Sequence, residues 1–296
     1  MMEKGPPVSN RAATEDQFLG VLLGLAIGDA LGRPVRGLSA AEIVERHGEV
    51  TEYIRTEADA AGSPGEITDK TEVSLCIVES LTTNDGLIDP VNINARMTFL
   101  VRGPSRDYMS EVVIAGVERA EAHDGQVPAD REDQPELAVA VRGVPIGLLH
   151  ALGAYDEATI RREAALLSRL THAGSRQAGL TAMVALAVCR TARGDVADIE
   201  GGADELSTTV RDIIEAVRKA DHFEDAVIAT IGRGGDADVH GALAGAIAGA
   251  RFGASGIPQG LIDGLDARIY LSMAAPWFYR TALRRAGTVI DLRAID

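Results

Sequence analysis

The sequence predicts a single, mostly α-helical domain. Apolar residues recur with the helical period over most of the chain, whereas the alternation typical of strands is nearly absent. Of the 296 residues, 46% are hydrophobic but only 4% are aromatic. A core of Ala, Leu, Val and Ile suits helices better than β-sandwiches. The length allows one large domain or two small ones, and because no interdomain linker is evident we predict one.

The domain is predicted to span residues 15 to 296, after a disordered lead-in over residues 1 to 14 that is rich in Pro and polar residues. The first apolar run, 18–31, contains Asp29 and is taken as too short to span a membrane. Further segments with helical periodicity are 71–81, 139–152, 160–170, 179–191 and 242–252. Turn-rich segments lie at 56–66, 123–136 and 232–238.

Charge and cysteine usage restrict the class of partner and the compartment. The formal net charge is −15, which argues against a nucleic-acid polymer as partner, because its phosphates need a basic surface. Cys76 and Cys189 each lie in an apolar helical run, so we expect buried thiols in a reducing compartment. The N-terminal residues do not resemble a signal peptide. We therefore expect a cytoplasmic protein with no membrane partner; the sequence does not indicate an oligomeric state.

Glycines repeat every fourth residue in two of the predicted helices. Each glycine inside a helix costs about 1 kcal/mol relative to alanine, so this spacing requires a structural reason. It aligns the glycines on one ridge of each helix, where a neighbouring backbone can approach closely. The glycines are Gly20, Gly24, Gly28 and Gly32 in the first series and Gly241, Gly245, Gly249 and Gly253 in the second. We predict two tightly packed central helices with acidic residues near their ends.

Two segments offer oxygen ligands for a hard cation such as Mg²⁺. The stretch GEITDKTEVSL contains Thr68 and Asp69, and GGDADVHG contains Asp236 and Asp238. An alternative is that the acids only cap helices, Asp69 through a capping box with Glu72 and Asp238 at the start of the next helix. Spacing alone leaves both interpretations open.

Five motifs, taken together and in order, resemble the ADP-ribosylglycohydrolase family. They are GVLLGLAIGDALGRPV, GEITDKTEVSL, VRGVPIGLLHA, THAGSRQAGLTAMVALA and GRGGDADVHGALAGAIAGARFGASGIP. The likeness extends from about Asp16 to Trp277. It implies an all-helical fold and hydrolysis of the C1″ glycosidic bond that joins ADP-ribose to an acceptor. It also implies two Mg²⁺ ions, with Thr68, Asp69, Asp236 and Asp238 as the matching ligands.

The departures from the family pattern affect both metals and the acid. Lys70 replaces the second aspartate of the T-D-D-T segment, Val239 replaces a ligand threonine, and Arg36 stands where the family often has a catalytic glutamate. We predict that the Lys70 ammonium substitutes for one metal ion, so that at most one Mg²⁺ binds, and weakly. The alternative is a solvated lysine at the helix start that points away from the site.

The predicted site therefore combines matched and replaced positions. We assign catalytic roles to Asp69, Asp238, Lys70 and Asp29, and substrate contacts to Arg36, His172, His240 and Gly235. Tyr108 and Trp277 are candidate platforms for an adenine, with filling of the core as the alternative.

Three functions follow from the sequence. The first is a hydrolase of the ADP-ribosyl bond with a rebuilt metal site, with a free NAD-derived nucleotide or a small-molecule conjugate as a possible substrate. The second is an inactive relative that binds ADP-ribose or a nucleotide. The third is a structural protein that reuses the fold, against which the retained acidic residues argue.

Overall fold

The structure is a computed structural model that describes residues 11–55, 63–123, 135–195 and 199–287. Over these residues the chain forms α-helices and short 3₁₀ turns without any strand, which confirms the predicted all-α class. The helices are α1 Glu15–Gly32, α2 Ala40–His47, α3 Asp69–Thr83, α4 Pro90–Val101, α5 Glu111–Ala122, α6 Gly143–Leu149, α7 Glu157–Ser168, α8 Ser175–Ala192, α9 Glu205–Lys219, α10 Phe223–Ile231, α11 Ala237–Phe252, α12 Gln259–Gly264 and α13 Arg268–Arg285.

The centre of the fold is the antiparallel pair of α1 and α11, and the two glycine ridges form their interface. Gly20 faces Gly249, Gly24 faces Gly245, and Gly28 faces Gly241. A Cβ atom on Gly28 would lie 1.9 Å from the Gly241 carbonyl oxygen, which is far inside contact distance. The prediction of two closely packed central helices is confirmed. Because the helices are antiparallel, the C-terminal end of α1 lies beside the N-terminal end of α11.

Helix α1 begins at a capping box. The Thr14 hydroxyl accepts a hydrogen bond from the Gln17 backbone N–H, and the Gln17 side chain accepts one from the Thr14 backbone. The Gln17 amide also donates to the Ala250 carbonyl at 2.7 Å, which ties the start of α1 to α11. Of the lead-in predicted over residues 1 to 14, residues 1–10 lie outside the described residues, and Thr14 is part of the helix cap.

The apolar segment at α1 is longer than the predicted apolar run 18–31. Residues Glu15–Val35 have the length and hydropathy of a membrane-crossing helix, but 83% of the apolar window is buried inside the protein. The other helices cover it, as expected of a core helix.

The helix predicted over 139–152 is broken in the structure. A 3₁₀ turn, Leu137–Arg142, precedes α6, which ends at Leu149. Pro145 explains the break, because it has no N–H to donate to the Val141 carbonyl four residues earlier. That carbonyl instead lies 3.4 Å from the Ser74 hydroxyl of α3. The other predicted helices lie within or overlap α3, α7, α8 and α11, while the turn-rich segments 56–66 and 123–136 fall mostly outside the described residues.

Candidate active site

Helix packing brings the two acidic segments together. Asp29 lies in the last turn of α1, Asp236 and Asp238 lie at the start of α11, and Asp69 is the first residue of α3. The glycine contacts fix the first two helix ends against each other, and hydrogen bonds from Thr68 and Thr71 to Asp29 attach the start of α3 to them.

Lys70 is buried between two carboxylates. Its Nζ atom lies 2.7 Å from Asp69 Oδ1 and 3.0 Å from Asp238 Oδ2, although the second contact lacks the angle of a hydrogen bond. Nζ also donates to the Tyr108 carbonyl at 3.4 Å, and only 1% of the side chain is exposed. The alternative of a solvated lysine is therefore wrong.

The charges of this cluster stabilise one another. Burial acts to lower the pKa of Lys70, but Asp69 and Asp238 together outweigh burial and raise it. The lysine therefore stays an ammonium ion. Burial raises the pKa of Asp69, and the Lys70 ammonium opposes that shift. A buried cation between two carboxylates does electrostatically what a bound metal ion does elsewhere.

The residues present do not fit the pair of Mg²⁺ ions that the family pattern implies. An Mg²⁺ ion needs oxygen ligands at about 2.1 Å in an octahedral arrangement, and the Lys70 ammonium already lies between Asp69 and Asp238. The Thr68 hydroxyl donates to Asp29 at 2.7 Å, and Val239 offers no side-chain oxygen. Within the described ranges, no group of three or more His, Cys, Asp or Glu side chains could hold a metal ion.

Asp29 connects the end of α1 to the start of α3 through hydrogen bonds. Its carboxylate accepts hydrogen bonds from the backbone and hydroxyl of Thr68, at 2.9 and 2.7 Å, and from the backbone and hydroxyl of Thr71, at 3.3 and 2.6 Å. Burial raises the pKa of Asp29 to about 6, against the lowering effect of these hydrogen bonds. Asp29 does not line the cavity described below, so the structure supports a positioning role for it.

The alternative in which the acids only cap helices is wrong in its details. The N-cap of α3 is Thr68, whose hydroxyl accepts from the Lys70 backbone N–H, and not Asp69. Asp236 occupies the N-cap position of α11 without a side-chain capping bond. Asp238 is the second residue of α11, where its Oδ1 accepts from the adjacent Val239 N–H. Asp69 and Asp238 make their shortest charged contacts with Lys70.

A cavity of about 290 Å³ opens beside the lysine cluster. Its wall includes Arg36, Asp69, Lys70, Tyr108, Glu136 and Asp236. The Arg36 guanidinium lies 3.5 Å from Asp238 Oδ2 with 43% of its side chain exposed, so Arg36 is the accessible cation of this wall. Val239 lines the same cavity, at the position where the family pattern has a threonine.

Several predicted ligand contacts lie away from this cavity. His172, His240 and Gly235 are absent from its lining. His172 is fully buried behind Glu136, and the Gly235 backbone pairs with Gly37 and Leu38. Burial lowers the pKa of His240, at the end of the first turn of α11.

The two candidate aromatic platforms differ in position. Tyr108 lines the cavity and accepts the Lys70 hydrogen bond through its carbonyl. Trp277 is 59% exposed on α13, in a surface groove with Glu79 and Tyr270, so it fills neither the core nor this cavity.

Sequence reasoning missed Glu136 and Ser110, which line the cavity together with the motif residues. Neither residue lies in one of the five matched motifs. The only local signal is an acidic residue at the end of a turn-rich segment, and this is common on protein surfaces.

The fold and the site together define the class of this protein. The domain is all-helical, and two antiparallel glycine-rich helices bring acidic residues to one cavity. The ADP-ribosylglycohydrolase family model matches residues 10–220 and 213–288. The chain belongs to the ADP-ribosylglycohydrolase family, whose activity is hydrolysis of ADP-ribosyl linkages.

Individual relatives extend the likeness over most of the chain. An uncharacterised protein of Archaeoglobus fulgidus is 29% identical over 91% of this chain and 98% of the relative. The ADP-ribosyl-[dinitrogen reductase] glycohydrolase of Rhodospirillum rubrum is also 29% identical, over 90% of this chain and 93% of the relative. A solved structure described as an ADP-ribosylglycohydrolase-related protein complex superposes with a TM-score of 0.68 at 26% identity, and covers 90% of this chain and 98% of that chain.

Proposed function

We propose that this protein hydrolyses the C1″ glycosidic bond of an ADP-ribosyl group on a free NAD-derived nucleotide or a small-molecule conjugate. In this proposal the Lys70 ammonium takes the place of one metal ion. The observation that carries the proposal is the position of Lys70 Nζ between Asp69 and Asp238, on the wall of a cavity that remains open.

The charges of the cavity suit the expected transition state. Cleavage of a glycosidic bond passes through an oxocarbenium-like state in which positive charge develops on the ribose, and nearby carboxylates stabilise that charge. Asp69, Asp236 and Glu136 supply carboxylates to the wall. The exposed guanidinium of Arg36 suits a phosphate of the ligand. The cavity volume lies near the lower end for small-molecule sites, about 300 to 1,000 Å³.

A second candidate is a protein that binds ADP-ribose without hydrolysing it. The observation that favours it is Arg36, which stands at the position of the family's glutamate and lies 3.5 Å from Asp238. The two candidates share the ligand but differ in turnover. ADP-ribose binding with no product from any conjugate supports the second, and neither binding nor turnover contradicts both.

The experiment is a turnover assay on ADP-ribosyl-arginine, ADP-ribosyl-serine, NAD and simple nucleosides, with and without EDTA. We expect release of ADP-ribose from at least one conjugate, and we expect EDTA to change the rate by less than about twofold, because Lys70 supplies the positive charge. A rate that EDTA abolishes and Mg²⁺ restores contradicts the expectation that Lys70 makes the reaction independent of Mg²⁺. Colorimetric or chromatographic detection of ADP-ribose provides the measurement.

A further inference from the structure

A second polar cluster includes Ser110 and Glu136 of the cavity wall and His172, which is buried behind Glu136. Ser110 Oγ donates to Glu136 Oε1 at 2.9 Å, and His172 Nε2 lies 3.6 Å from the same oxygen. The Glu136 backbone N–H donates to Gln177 Oε1 at 2.7 Å. These contacts hold both the side chain and the backbone of Glu136. The Glu136 side chain is 24% exposed and lines the cavity.

The contacts of Glu136 leave one carboxylate oxygen available. Both Ser110 and His172 approach Oε1, and no residue in the described ranges donates a hydrogen bond to Oε2. His172 is fully buried, Thr171 contacts its Nδ1, and its Nε2 has no hydrogen-bond partner within the described residues. His172 favours the ionised form of Glu136, although its Nε2 lies beyond hydrogen-bond distance.

The surroundings keep Glu136 ionised. Burial acts to raise its pKa, but the neighbouring His172 ring and the Ser110 hydroxyl outweigh burial, so the pKa lies below its ordinary value. A carboxylate that is ionised and has one oxygen free toward a cavity can accept a proton from water.

The other acidic residues of the site are less suited to accept a proton from water. Asp69 and Asp238 face the Lys70 ammonium, and Asp29 is enclosed by four hydrogen bonds. Asp236 lines the cavity but is exposed and has no side-chain capping bond, so nothing described fixes its carboxylate. Proton transfer depends on a positioned group, and Glu136 is the cavity carboxylate that neighbouring side chains hold.

We propose that Glu136 is the general base that activates the attacking water. This inference rests on the proposed hydrolysis. The water oxygen forms the new bond to C1″, and Glu136 takes the proton that the water loses. The bond from C1″ to the leaving atom breaks with its electron pair moving to the leaving group. An arginine or serine leaving group then receives a proton from solvent, whereas nicotinamide leaves NAD as a neutral ring and needs none. Ser110 and His172 act as positioning residues for Glu136.

The test compares wild type with Glu136→Gln on ADP-ribosyl-arginine, ADP-ribosyl-serine and NAD. We expect kcat to fall by about a hundredfold to ten-thousandfold, the usual contribution of a general base, while calorimetry shows ADP-ribose affinity changed less than about threefold. Glu111→Gln is the matched control, because Glu111 is exposed at the start of the neighbouring α5 and lies outside the cavity wall. It should retain the wild-type rate.

A second variant separates the loss of a base from misfolding. In Glu136→Ala, azide should restore turnover and form an ADP-ribosyl azide, since azide attacks C1″ without giving up a proton. Wild-type turnover with a Glu136→Gln rate above a tenth of it overturns the assignment of Glu136 and leaves the proposed function intact. The absence of wild-type turnover on all three substrates overturns both. Loss of activity without azide rescue indicates a structural role for Glu136 and also overturns its assignment.

Discussion

Replacing Gly28 with alanine should destabilise the protein by more than about 4 kcal/mol or prevent it from folding, which is the exceptional end of single-substitution effects. The added Cβ would lie 1.9 Å from the Gly241 carbonyl oxygen and 2.3 Å from its carbon. Both atoms belong to the backbone of α11, so no side chain can move to relieve the overlap. The two central helices would have to separate, and every glycine contact between them would lengthen.

The matched control for Gly28→Ala is Gly179→Ala. Gly179 is exposed inside α8, and an added Cβ would meet nothing within 4 Å. At this position the substitution should change stability only through helix propensity, which favours alanine over glycine by about 1 kcal/mol. The measurement is urea unfolding of both variants, followed by helical circular dichroism. Similar unfolding midpoints for the two variants would contradict the packing described for α1 and α11.

The second large effect is expected for Lys70→Met, which matches the lysine side chain as far as Cε but removes the charged ammonium. Asp69 and Asp238 would then lie close together in the interior without a cation between them. Removing one partner of a buried ion pair typically costs about 3 to 5 kcal/mol, because the remaining charge stays uncompensated. Urea unfolding at neutral pH provides the measurement.

Lys219→Met is the control for Lys70→Met. The Lys219 side chain is 70% exposed and pairs with Glu215 on the surface of α9, where an ion pair contributes about 1 kcal/mol or less. A Lys70→Met variant as stable as Lys219→Met would show that Asp69 and Asp238 do not depend on the ammonium.

The sequence was sufficient for the fold class and the central helix pair, because the glycine spacing has a direct steric meaning. It was also sufficient to single out Lys70, since a positive residue at a metal position contradicts the chemistry of the motif. The break before α6 could have been read from Pro145. The cap of α3 was misassigned by one residue, because Thr68 and Asp69 are both good caps and only the backbone conformation distinguishes them.

Glu136 could not be predicted, because its surroundings come from distant parts of the chain. Ser110 precedes α5, His172 precedes α8, and Glu136 precedes a 3₁₀ turn. No spacing in the sequence relates these three positions, and only the packing of the helices brings Ser110 and His172 to Glu136. For the same reason the burial of His172, away from the cavity, had no local signal.

The most direct test of whether Lys70 replaces a metal ion is a calorimetric titration with Mg²⁺. The titration compares wild type, Lys70→Asp, Val239→Thr and the double variant that combines both substitutions. The wild type should bind at most one Mg²⁺ ion, and weakly, because Lys70 Nζ lies 2.7 Å from Asp69 and 3.0 Å from Asp238. The double variant should bind Mg²⁺ more tightly than the single variants predict together, since both positions would serve one site. Tight binding of two Mg²⁺ ions by the wild type would contradict the claim that Lys70 replaces a metal ion.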